Sequence, residues 1–320
     1  MGKTIGILTS GGDSPGMNAA VRAVTRAAIS KGMKVIGIER GYNGLINGET
    51  RELGARDVSD IIQRGGTILY TARCKEFREE AGVLKAKQRC LDLGLDGIVV
   101  IGGDGSFRGA ADLSAKGIPC VGLPGTIDND IQCTDYTIGY DTAMNTVVEM
   151  VDKIRDTAQS HDRCSIVEVM GRGAGYIALN TGIAVGAIAV VIPEKTITTD
   201  EIVERIERSR ASGKQHYIIV VSEAIGNSEA LAKEIQERTG IESRATILGH
   251  VQRGGSPTLR DRVAASRMGA YAVDLLEKGI GNRVVGMNRD EVIDVDIQEA
   301  LSMKKPFPID LYELSNKISF

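Results

Sequence analysis

Long apolar runs are missing from this sequence. The longest nearly apolar stretch, Ile183 to Ile192, has ten residues, against the roughly 20 that a membrane-spanning helix needs. The first apolar run, Ile5 to Leu8, is too short for the core of a secretory signal. We therefore expect a soluble, cytoplasmic protein with no membrane partner.

Patterned cysteines and an excess of positive charge are missing as well. The cysteines stand at irregular spacings and include no Cys-x-x-Cys pair, which argues against zinc or redox chemistry: Cys74, Cys90, Cys120, Cys133 and Cys164. Reduced thiols in a cytoplasmic protein are the simplest interpretation. A formal net charge of -3 provides no general basic field, so no nucleic-acid partner is expected.

The commonest nucleotide-binding signatures are also absent. Neither a Walker A sequence nor Gly-x-Gly-x-x-Gly occurs in the chain. A dehydrogenase built on a dinucleotide-binding fold would need that glycine fingerprint and an acidic residue downstream of it. This class of enzyme is therefore disfavoured.

Short β-branched runs alternate with amphipathic stretches along most of the chain. The predicted strands are Thr4–Thr9, Val35–Glu39, Gly97–Ile101, Cys120–Leu123, Ser165–Val169, Ala189–Ile192, Tyr217–Ser222, Ala245–Leu248 and Val284–Met287. The predicted helices include Asn18–Lys31, Thr142–Ala158, Thr199–Ser212, Ser228–Thr239 and Arg260–Lys278. Strands that are apolar on both faces and alternate with helices indicate doubly wound, largely parallel sheets. Nine strands favour two α/β lobes over one small sheet, with a cleft between the lobes.

Glycine is abundant and its positions follow the predicted strands. The chain has 39 glycines, where average usage predicts about 22. They form groups after the first, third, fourth, fifth and eighth strands: Gly11-Gly12, Gly102-Gly103 with Gly105, Gly125, Gly171 with Gly173 and Gly175, and Gly249 with Gly254-Gly255. Any one group can be a tight turn without a ligand. Five groups at the edge where α/β proteins bind ligands favour a phosphate-rich site.

Gly102-Gly103-Asp104-Gly105-Ser106 offers backbone amides and a helix N-terminus to a polyphosphate. Asp104 stands where one carboxylate could hold Mg²⁺. Similar loops occur in several kinases, including NAD and diacylglycerol kinases. In the alternative interpretation, Asp104 only caps the helix that starts near Ser106.

Pro124-Gly125-Thr126-Ile127-Asp128-Asn129-Asp130 follows the next strand. Asp128 and Asp130 can point the same way if the segment is extended. Phosphoryl transfer to an alcohol needs a group that accepts the hydroxyl proton and charges that hold the γ-phosphoryl group in line. A carboxylate pair beside a threonine fits those duties, although a turn rich in Asp and Asn would look the same.

These two loops resemble motifs of the phosphofructokinase family. The other matching segments are Leu8-Thr9-Ser10-Gly11-Gly12-Asp13 with Pro15-Gly16-Met17-Asn18, Met170-Gly171-Arg172, and Gly249-His250-Val251-Gln252-Arg253-Gly254-Gly255-Ser256-Pro257. The resemblance runs from about residue 4 to about residue 310 and is greatest to the bacterial ATP-dependent branch. It implies transfer of the γ-phosphoryl group of Mg-ATP to the C1 hydroxyl of fructose 6-phosphate.

The resemblance also implies roles for individual residues. Asp128 would take the proton from the C1 hydroxyl, Thr126 would contact the transferring group and Arg172 would steady its negative charge. Asp104 would hold Mg²⁺. The expected ATP contacts are Gly12, Tyr42, Arg73, Cys74, Gly103, Asp104, Gly105 and Ser106. The expected sugar-phosphate contacts are Thr126, Asp128, Asp130, Arg163, Met170, Gly171, Arg172, Glu223, Arg244, His250 and Arg253.

Two glycines bear on the phosphoryl donor. Pyrophosphate-dependent relatives typically carry Asp where Gly105 stands and Lys where Gly125 stands. A side chain at position 105 would add bulk and negative charge where the ATP α-phosphate must pass. The two glycines therefore predict ATP as the donor.

The family's counterparts of Arg163 and Arg244 come from a neighbouring subunit, so a homotetramer is expected. An effector pocket for ADP and phosphoenolpyruvate is matched by Arg22, Arg26, Asp60, Arg155 and Lys214. It departs from the family where Ile188 replaces a glutamate, Ser212 replaces a lysine, and Ala55 stands where some members have arginine. An alkyl side chain cannot ligate Mg²⁺, so Mg-ADP activation is expected to be weak or lost unless a neighbour compensates.

By the same resemblance, residues 1–138 and about 256–304 would form a larger ATP-binding lobe. Residues 139–255 and about 305–320 would form a smaller fructose-6-phosphate-binding lobe.

Two other functions share part of the pattern. An NAD-kinase-like enzyme would leave Asp128 and the motif from His250 to Arg253 unexplained. A sugar-phosphate sensor without activity should have lost Asp104, Asp128 or Arg172, and the chain retains all three.

Overall fold

The structure, a computed structural model, describes residues 2–319, so the outermost residues of the predicted lobes, Met1 and Phe320, lie outside the described part. Its strands are β1 (Thr4–Thr9), β2 (Lys34–Ile38), β3 (Thr50–Glu52), β4 (Gly97–Gly102), β5 (Cys120–Pro124), β6 (Cys164–Val169), β7 (Ala189–Val191), β8 (Tyr217–Ser222), β9 (Ser243–Ile247), β10 (Arg283–Asn288) and β11 (Glu291–Asp296). Its α-helices are α1 (Met17–Ser30), α2 (Gly41–Asn47), α3 (Glu80–Asp92), α4 (Asp104–Ala115), α5 (Tyr140–Ser160), α6 (Tyr176–Ala184), α7 (Thr199–Ala211), α8 (Ser228–Thr239), α9 (Leu259–Glu277), α10 (Ile297–Ser302) and α11 (Ile309–Lys317).

The chain divides into two compact units. The first contains the residues up to Ile127 together with Ile131–Thr142 and Arg253–Lys305. The second contains Asp128–Asp130, Ala143–Gln252 and the residues from Pro306 onward. The short segment Asp128–Asp130 belongs to the second unit, although its neighbours on both sides in the chain belong to the first. The lobe boundaries predicted from the sequence do not separate these three residues from their neighbours.

The first unit holds a seven-stranded sheet in the order β11-β10-β5-β4-β1-β2-β3. Its five inner strands are parallel, and β3 and β11 pair antiparallel at the two edges. β4, with the sequence GIVVIG, is buried along its whole length, as expected of a central strand covered on both faces. The α/β fold with largely parallel sheets is thereby confirmed.

The second unit holds a parallel four-stranded sheet in the order β7-β8-β6-β9. Its core is formed mainly by β-branched residues of β6 and β8, such as Ile166 and Ile219, with Tyr217. Helix α7 begins with a capping box in which Thr198 and Glu201 satisfy each other's backbone N–H groups. The apolar face of α7, with Ile202 and Ile206, packs into this core.

The helices of residues 2–319 differ in length and in polarity. None of them is both long enough and apolar enough to span a bilayer. The longest, α5, runs for 21 residues but has charged residues spread along it.

Candidate active site

The glycine-rich loops of the first unit emerge side by side. β4 lies between β1 and β5, and all three strands are parallel, so their carboxyl ends share one edge of the sheet. The loops are tied together directly: the N–H of Ser10 donates to the carbonyl of Ile101 at 2.9 Å, and that of Gly125 donates to Gly102 at 3.0 Å. The structure thus brings the opening loop, the Gly102–Ser106 loop and the start of the Pro124–Asp130 loop together.

Helix α4 begins inside the Gly102–Ser106 loop. Gly103 is its N-cap and makes no side-chain capping bond, while Asp104 and Gly105 are the first helical residues. Asp104 therefore lies within the first turn and does not occupy the cap position of the alternative interpretation. Partial positive charge at this helix end favours a phosphate group.

Gly105 is not required by packing. A Cβ built on it meets no atom of the described chain within 4 Å, and glycine weakens a helix relative to alanine. Gly125 differs, because a Cβ there would approach Ile101 to 2.9 Å. The reason for glycine at position 105 must therefore be sought outside the chain's own packing, and a ligand that approaches the backbone supplies one.

Arg253 lies over the opening loop of the first unit. Its Nε donates to the carbonyl oxygen of Asp13 at 3.3 Å and lies 3.8 Å from that residue's carboxylate. A Cβ on Gly12 would stand only 1.5 Å from the Arg253 guanidinium. Arg253, expected at the sugar phosphate, thus rests against the loop expected at ATP.

Tyr42 is a core residue rather than an exposed face for adenine. Its side chain is 5% exposed and stacks on Phe77 with ring centroids 4.1 Å apart. Its hydroxyl donates to the carbonyl of Ser106 at 2.6 Å. Tyr42 supports the turn of α4 that follows Asp104, while Arg73 is exposed and Cys74 half-buried in the segment before Phe77.

The Pro124–Asp130 loop is irregular after Thr126. Asp128 and Asp130 are half-buried, whereas Ile127 and Asn129 between and beside them are buried. Asn129 has a φ of 52°, so the segment is not the simple extended run that the spacing of the two aspartates suggested. Asn tolerates this left-handed conformation better than most residues.

A magnesium ion fits the first unit only with help from a substrate. Among residues 2–319, no three His, Cys, Asp or Glu side chains form a group that could hold a metal. Mg²⁺ commonly binds through one or two carboxylates together with substrate phosphates and water. Asp104, in the first turn of α4 at the sheet edge, suits that arrangement.

The second unit repeats the same plan. β6 lies between β8 and β9 in a parallel sheet, so the segments after these strands share one edge. They carry Met170-Gly171-Arg172 after β6, Glu223 after β8 and, after β9, the residues from Gly249 to Gln252. The structure therefore brings Met170, Gly171, Arg172, Glu223 and His250 to one edge of one sheet.

Glu223 accepts hydrogen bonds from the backbone of the segment that carries the Arg172 side chain. Its Oε1 accepts hydrogen bonds from the N–H groups of Gly171 at 3.2 Å and Arg172 at 2.7 Å. Arg172 has a φ of 58°, and its guanidinium lies 3.8 Å from the carboxylate of Asp130. Arg172, expected to steady the transferring group, is thus held beside one of the expected site carboxylates.

Gln252 was not among the predicted site residues, although it lies inside a quoted motif. Its side chain is fully buried, accepts the N–H of Met170 at 3.1 Å and donates to the carbonyl of Gly249 at 3.0 Å. It joins the segment after β6 to the turn after β9. The motif contained this amide, but sequence spacing does not distinguish a buried amide from an exposed one.

Arg163 and Arg244 lie at the opposite edge of the second sheet. Both pair with Glu242, at 2.9 Å and 2.6 Å, and the two arginines lower the pKa of that carboxyl. Arg163 directly precedes the six residues of β6 and Met170 directly follows them, so their Cα atoms are about 23 Å apart at ~3.3 Å per residue. Within one chain, Arg163 and Arg244 are too far from Arg172 to bind the same phosphate group.

The expected effector residues divide between the two units. In the first unit, Arg22 and Arg26 lie one turn apart on α1, and Asp60 has a φ of 55°. In the second unit, burial followed by the charge of Arg155 lowers the pKa of Lys214. Burial, Arg155 and Lys214 likewise lower the pKa of His216. Arg155, Lys214 and His216 therefore lie close enough for the two basic side chains to disfavour protonation of the imidazole.

Ile188 belongs to the apolar core of the second unit. Its side chain is 1% exposed and lies in the cluster that contains Cys164 and Tyr217. The residue does not leave an open gap where a carboxylate is missing, because its alkyl side chain is absorbed by the core.

Comparisons with known proteins agree with one another. The family model described as phosphofructokinase matches residues 4–276. An ATP-dependent 6-phosphofructokinase of Clostridium botulinum is 57% identical over 317 residues, which are 99% of each chain. One of Clostridium novyi is 56% identical over 318 residues, 99% of this chain and 100% of its own.

Among solved structures, phosphofructokinase from Saccharomyces cerevisiae matches with a TM-score of 0.91 at 35% identity. The match covers 98% of this chain and 50% of the yeast chain. This chain thus spans half the length of the yeast chain, but the full length of its clostridial relatives.

Proposed function

The chain belongs to the phosphofructokinase family, and on that basis we propose that it transfers the γ-phosphoryl group of ATP to the C1 hydroxyl of fructose 6-phosphate. The products are fructose 1,6-bisphosphate and ADP. The observation that carries the proposal is the similarity over nearly the whole chain to relatives named for ATP-dependent 6-phosphofructokinase activity. The structure supports it with loops that suit phosphates at the carboxyl edge of each sheet.

We assign proton removal to Asp128, whose carboxylate would accept the C1 hydroxyl proton as the oxygen attacks phosphorus. Thr126 would donate a hydrogen bond to the transferring group. Arg172 would stabilise the charge that spreads over the equatorial oxygens. The hydrogen bond from the Arg172 N–H to Glu223 supports this role, because it fixes the point from which the guanidinium projects.

Polyphosphate binding would rest on the opening loop and the first turn of α4, with Gly12, Gly103, Gly105 and Ser106 as backbone and hydroxyl partners. Arg73 and Cys74 would lie beside the nucleotide. Asp104 would hold Mg²⁺, which neutralises phosphate charge when bound. The open space around Gly105 supports ATP as the donor, since a nucleotide can approach the backbone there.

We assign the sugar phosphate to His250, Arg253, Met170, Gly171, Glu223 and Asp130, completed by Arg163 and Arg244 of a second copy. The separation of the last two from Arg172 within one chain supports a shared site. Two arginines on one phosphate dianion can each form two charge-assisted bonds. A closed homo-oligomer, for which we propose a tetramer, would supply them.

The proposed activity is tested with purified protein, fructose 6-phosphate and Mg²⁺, with either ATP or pyrophosphate as donor. Formation of fructose 1,6-bisphosphate is followed in a coupled assay. We expect turnover with ATP and none with pyrophosphate. In Asp128→Ser, kcat with ATP should fall at least about 1,000-fold. Asp112→Ser, which removes an exposed carboxylate of α4, is the matched control. Turnover with pyrophosphate alone would disprove the donor, and no turnover with either would disprove the activity.

The shared site is tested by mixing two inactive variants. Asp128→Ser and Arg244→Ser each spoil one half of a site. After they are unfolded and refolded together, about one quarter of the sites should be intact by random pairing. Subunits that hold complete sites of their own would regain no activity in this mixture.

We further propose that Arg22, Arg26, Asp60, Arg155 and Lys214 bind anionic effectors such as phosphoenolpyruvate, and that ADP activates weakly. Burial of the Ile188 side chain in the core supports the second part, because no carboxylate stands there to hold a magnesium ion. A strong shift of the fructose 6-phosphate saturation curve on addition of Mg-ADP would contradict it.

We place the enzyme in the cytoplasm, supported by five free cysteines.

A further inference from the structure

Asp261 is a fully buried carboxylate near the start of α9. Its Oδ1 accepts hydrogen bonds from the hydroxyl of Tyr136 at 2.5 Å and the N–H of Gly139 at 2.7 Å. Its Oδ2 accepts from the N–H of Thr142 at 2.9 Å and the hydroxyl of the same residue at 2.5 Å. Four donors fill the acceptor capacity of one carboxylate. All of them come from the segment Tyr136–Thr142.

The same segment holds the loop to which we assign phosphoryl transfer. The N–H of Ile138 donates to the carbonyl of Pro124 at 2.8 Å. The hydroxyl of Thr137 donates to the carbonyl of Thr126 at 2.6 Å. Two consecutive residues of the segment therefore bond to two carbonyls of the loop, only one or two residues away from Tyr136 and Gly139.

The network also reaches two other candidate loops. Ser14, in the opening loop, donates through its hydroxyl to the carbonyl of Ile138 at 2.9 Å. Thr258 donates its N–H to the Thr142 hydroxyl oxygen at 3.0 Å, directly after the motif that ends at Pro257. One buried side chain thus stands at the centre of contacts that order three parts of the first unit.

Burial of a carboxylate is unfavourable in free energy, so a segment that needs only to be packed would be held better by an apolar side chain. Burial raises the pKa of Asp261, and the four hydrogen bonds oppose that effect. An apolar side chain could fill the same space without that penalty, but it would leave the four buried donors without an acceptor. What the carboxylate adds is direction, since each oxygen accepts from two donors at fixed positions.

We propose that Asp261 is a positioning residue for phosphoryl transfer: through Tyr136–Thr142 it sets the place of the Pro124 and Thr126 carbonyls, and hence of the Thr126 hydroxyl and the Asp128 that follows. The proposal rests on the proposed function. It predicts that loss of the acceptor lowers kcat more than it raises KM, because displacement of about 1 Å in a reacting group costs up to ~100-fold in rate.

Asp261→Asn is the most direct variant. The amide oxygen can still accept from two donors, but the amide nitrogen must then face at least one N–H that can only donate. Tyr136→Phe removes one donor and leaves the carboxylate. Thr142→Val removes a donor at constant shape, and Thr142→Ser restores the hydroxyl.

The chain offers a matched pair of controls in the same unit. Tyr271, also on α9, donates to the half-buried carboxylate of Asp294 at 2.7 Å, and Asp294 lies on the edge strand β11. Tyr271→Phe and Asp294→Asn therefore remove the same chemical groups from a hydrogen bond between α9 and β11, although Asp294 also pairs with Arg283. Thermal unfolding of all variants measures the general loss of stability, and hydrogen exchange measures protection of residues 124–142.

We expect kcat to fall about 100-fold in Asp261→Asn and about tenfold in Tyr136→Phe, with KM for both substrates within about threefold of wild type. Thr142→Ser should recover the activity that Thr142→Val loses. Exchange should rise in residues 124–142 of folded Asp261→Asn.

Equal losses in Tyr136→Phe and Tyr271→Phe at equal stability would overturn the proposal, as would unchanged exchange in residues 124–142. If the wild type itself shows no turnover, the proposed function is wrong. The exchange measurement then still decides whether Asp261 holds this segment.

Discussion

The Oε1 atom of Glu223 lies 2.7 Å from the backbone nitrogen of Arg172 and accepts its hydrogen. Arg172 has a left-handed φ of 58°, a conformation that costs a non-glycine residue about 1–2 kcal/mol. Strain of this kind persists where the surroundings determine the conformation. Glu223, reached from the neighbouring strand β8, is the group that holds it.

Glu223→Gln should therefore weaken the fixation of Arg172 as well as any contact with sugar. A neutral amide oxygen accepts more weakly than a carboxylate, and we expect kcat to fall about tenfold and KM for fructose 6-phosphate to rise. Glu194→Gln is the control, because Glu194 accepts the N–H of Gly175 in the same loop at 2.8 Å. Steady-state kinetics of both variants checks this, and equal effects would mean that any carboxylate contact to the loop serves as well.

Gly105 should tolerate a methyl group in folding but not in function. Because a Cβ there meets no atom of the described chain, Gly105→Ala should be as stable as wild type or more stable by up to about 1 kcal/mol. If ATP passes close to this backbone, KM for ATP should rise in Gly105→Ala. Gly105→Asp, which adds charge, should nearly abolish turnover with ATP.

Thermal unfolding and ATP saturation curves on the same preparations test this separation of stability from activity. Wild-type KM for ATP in both variants would show that the space around Gly105 has nothing to do with the nucleotide.

Cys74 should be the thiol that reacts first with an alkylating reagent at pH 8. Burial raises the pKa of Cys90, Cys120 and Cys164 to about 12 and that of Cys133 to about 11. These four groups hold very little of the reactive thiolate, whereas Cys74 is half-buried. Peptide mass spectrometry identifies the labelled residue.

If Cys74 lies beside the nucleotide as proposed, ATP should slow its labelling and fructose 6-phosphate alone should not. Labelling at an unchanged rate in saturating ATP would remove Cys74 from the ATP site, while leaving the order of thiol reactivity intact.

His216 should titrate below the ordinary histidine value of 6.5, because burial and then Arg155 and Lys214 lower its pKa. Since the folded-state pKa is the lower one, this group's contribution to stability is complete above pH 6.5 and is lost as the pH falls below it. With only three histidines in the chain, the imidazole signals can be assigned by NMR.

Arg155→Ala should raise the pKa of His216, and binding of inorganic phosphate to the wild type should raise it too. Lys153→Ala is the control, because Lys153 is exposed and lies two residues before Arg155 on α5. This variant should leave the pKa of His216 unchanged. A His216 titration that ignores both phosphate and Arg155 would contradict an anion site at these residues.

The parallel strands could be predicted because they are apolar on both faces, and each predicted strand is present within two residues of its observed limits. The two antiparallel edge strands were missed for a physical reason. β3 has only three residues, Thr50–Glu52, and three of the six residues of β11, EVIDVD, are acidic. Acidic residues are depleted in strands, so such edges give a weak signal.

The candidate site could be predicted wherever a loop motif carries its own chemistry, as in Gly103–Ser106. It could not be predicted where a role depends on a distant partner. Nothing local shows that Tyr42 is buried against Phe77, that Gln252 accepts the N–H of Met170, or that Arg253 lies on Asp13. Ile188 is the converse case: the family resemblance implies that a ligand is missing there, and only the fold shows that the side chain lies in the apolar core.

The order of the strands along the chain sets the order in which the two sheets can be completed during synthesis. Ala143–Gln252 is continuous and contains all four strands of the second sheet, so that sheet can form while synthesis continues. The first sheet needs β10 beside β5, and β10 is synthesised only after all four strands of the second sheet. Until then the apolar edge of β5 stays open, and such edges favour misassembly. The first sheet, although begun earlier, is therefore finished after the second, and the edge of β5 lacks its partner strand throughout synthesis of the second sheet.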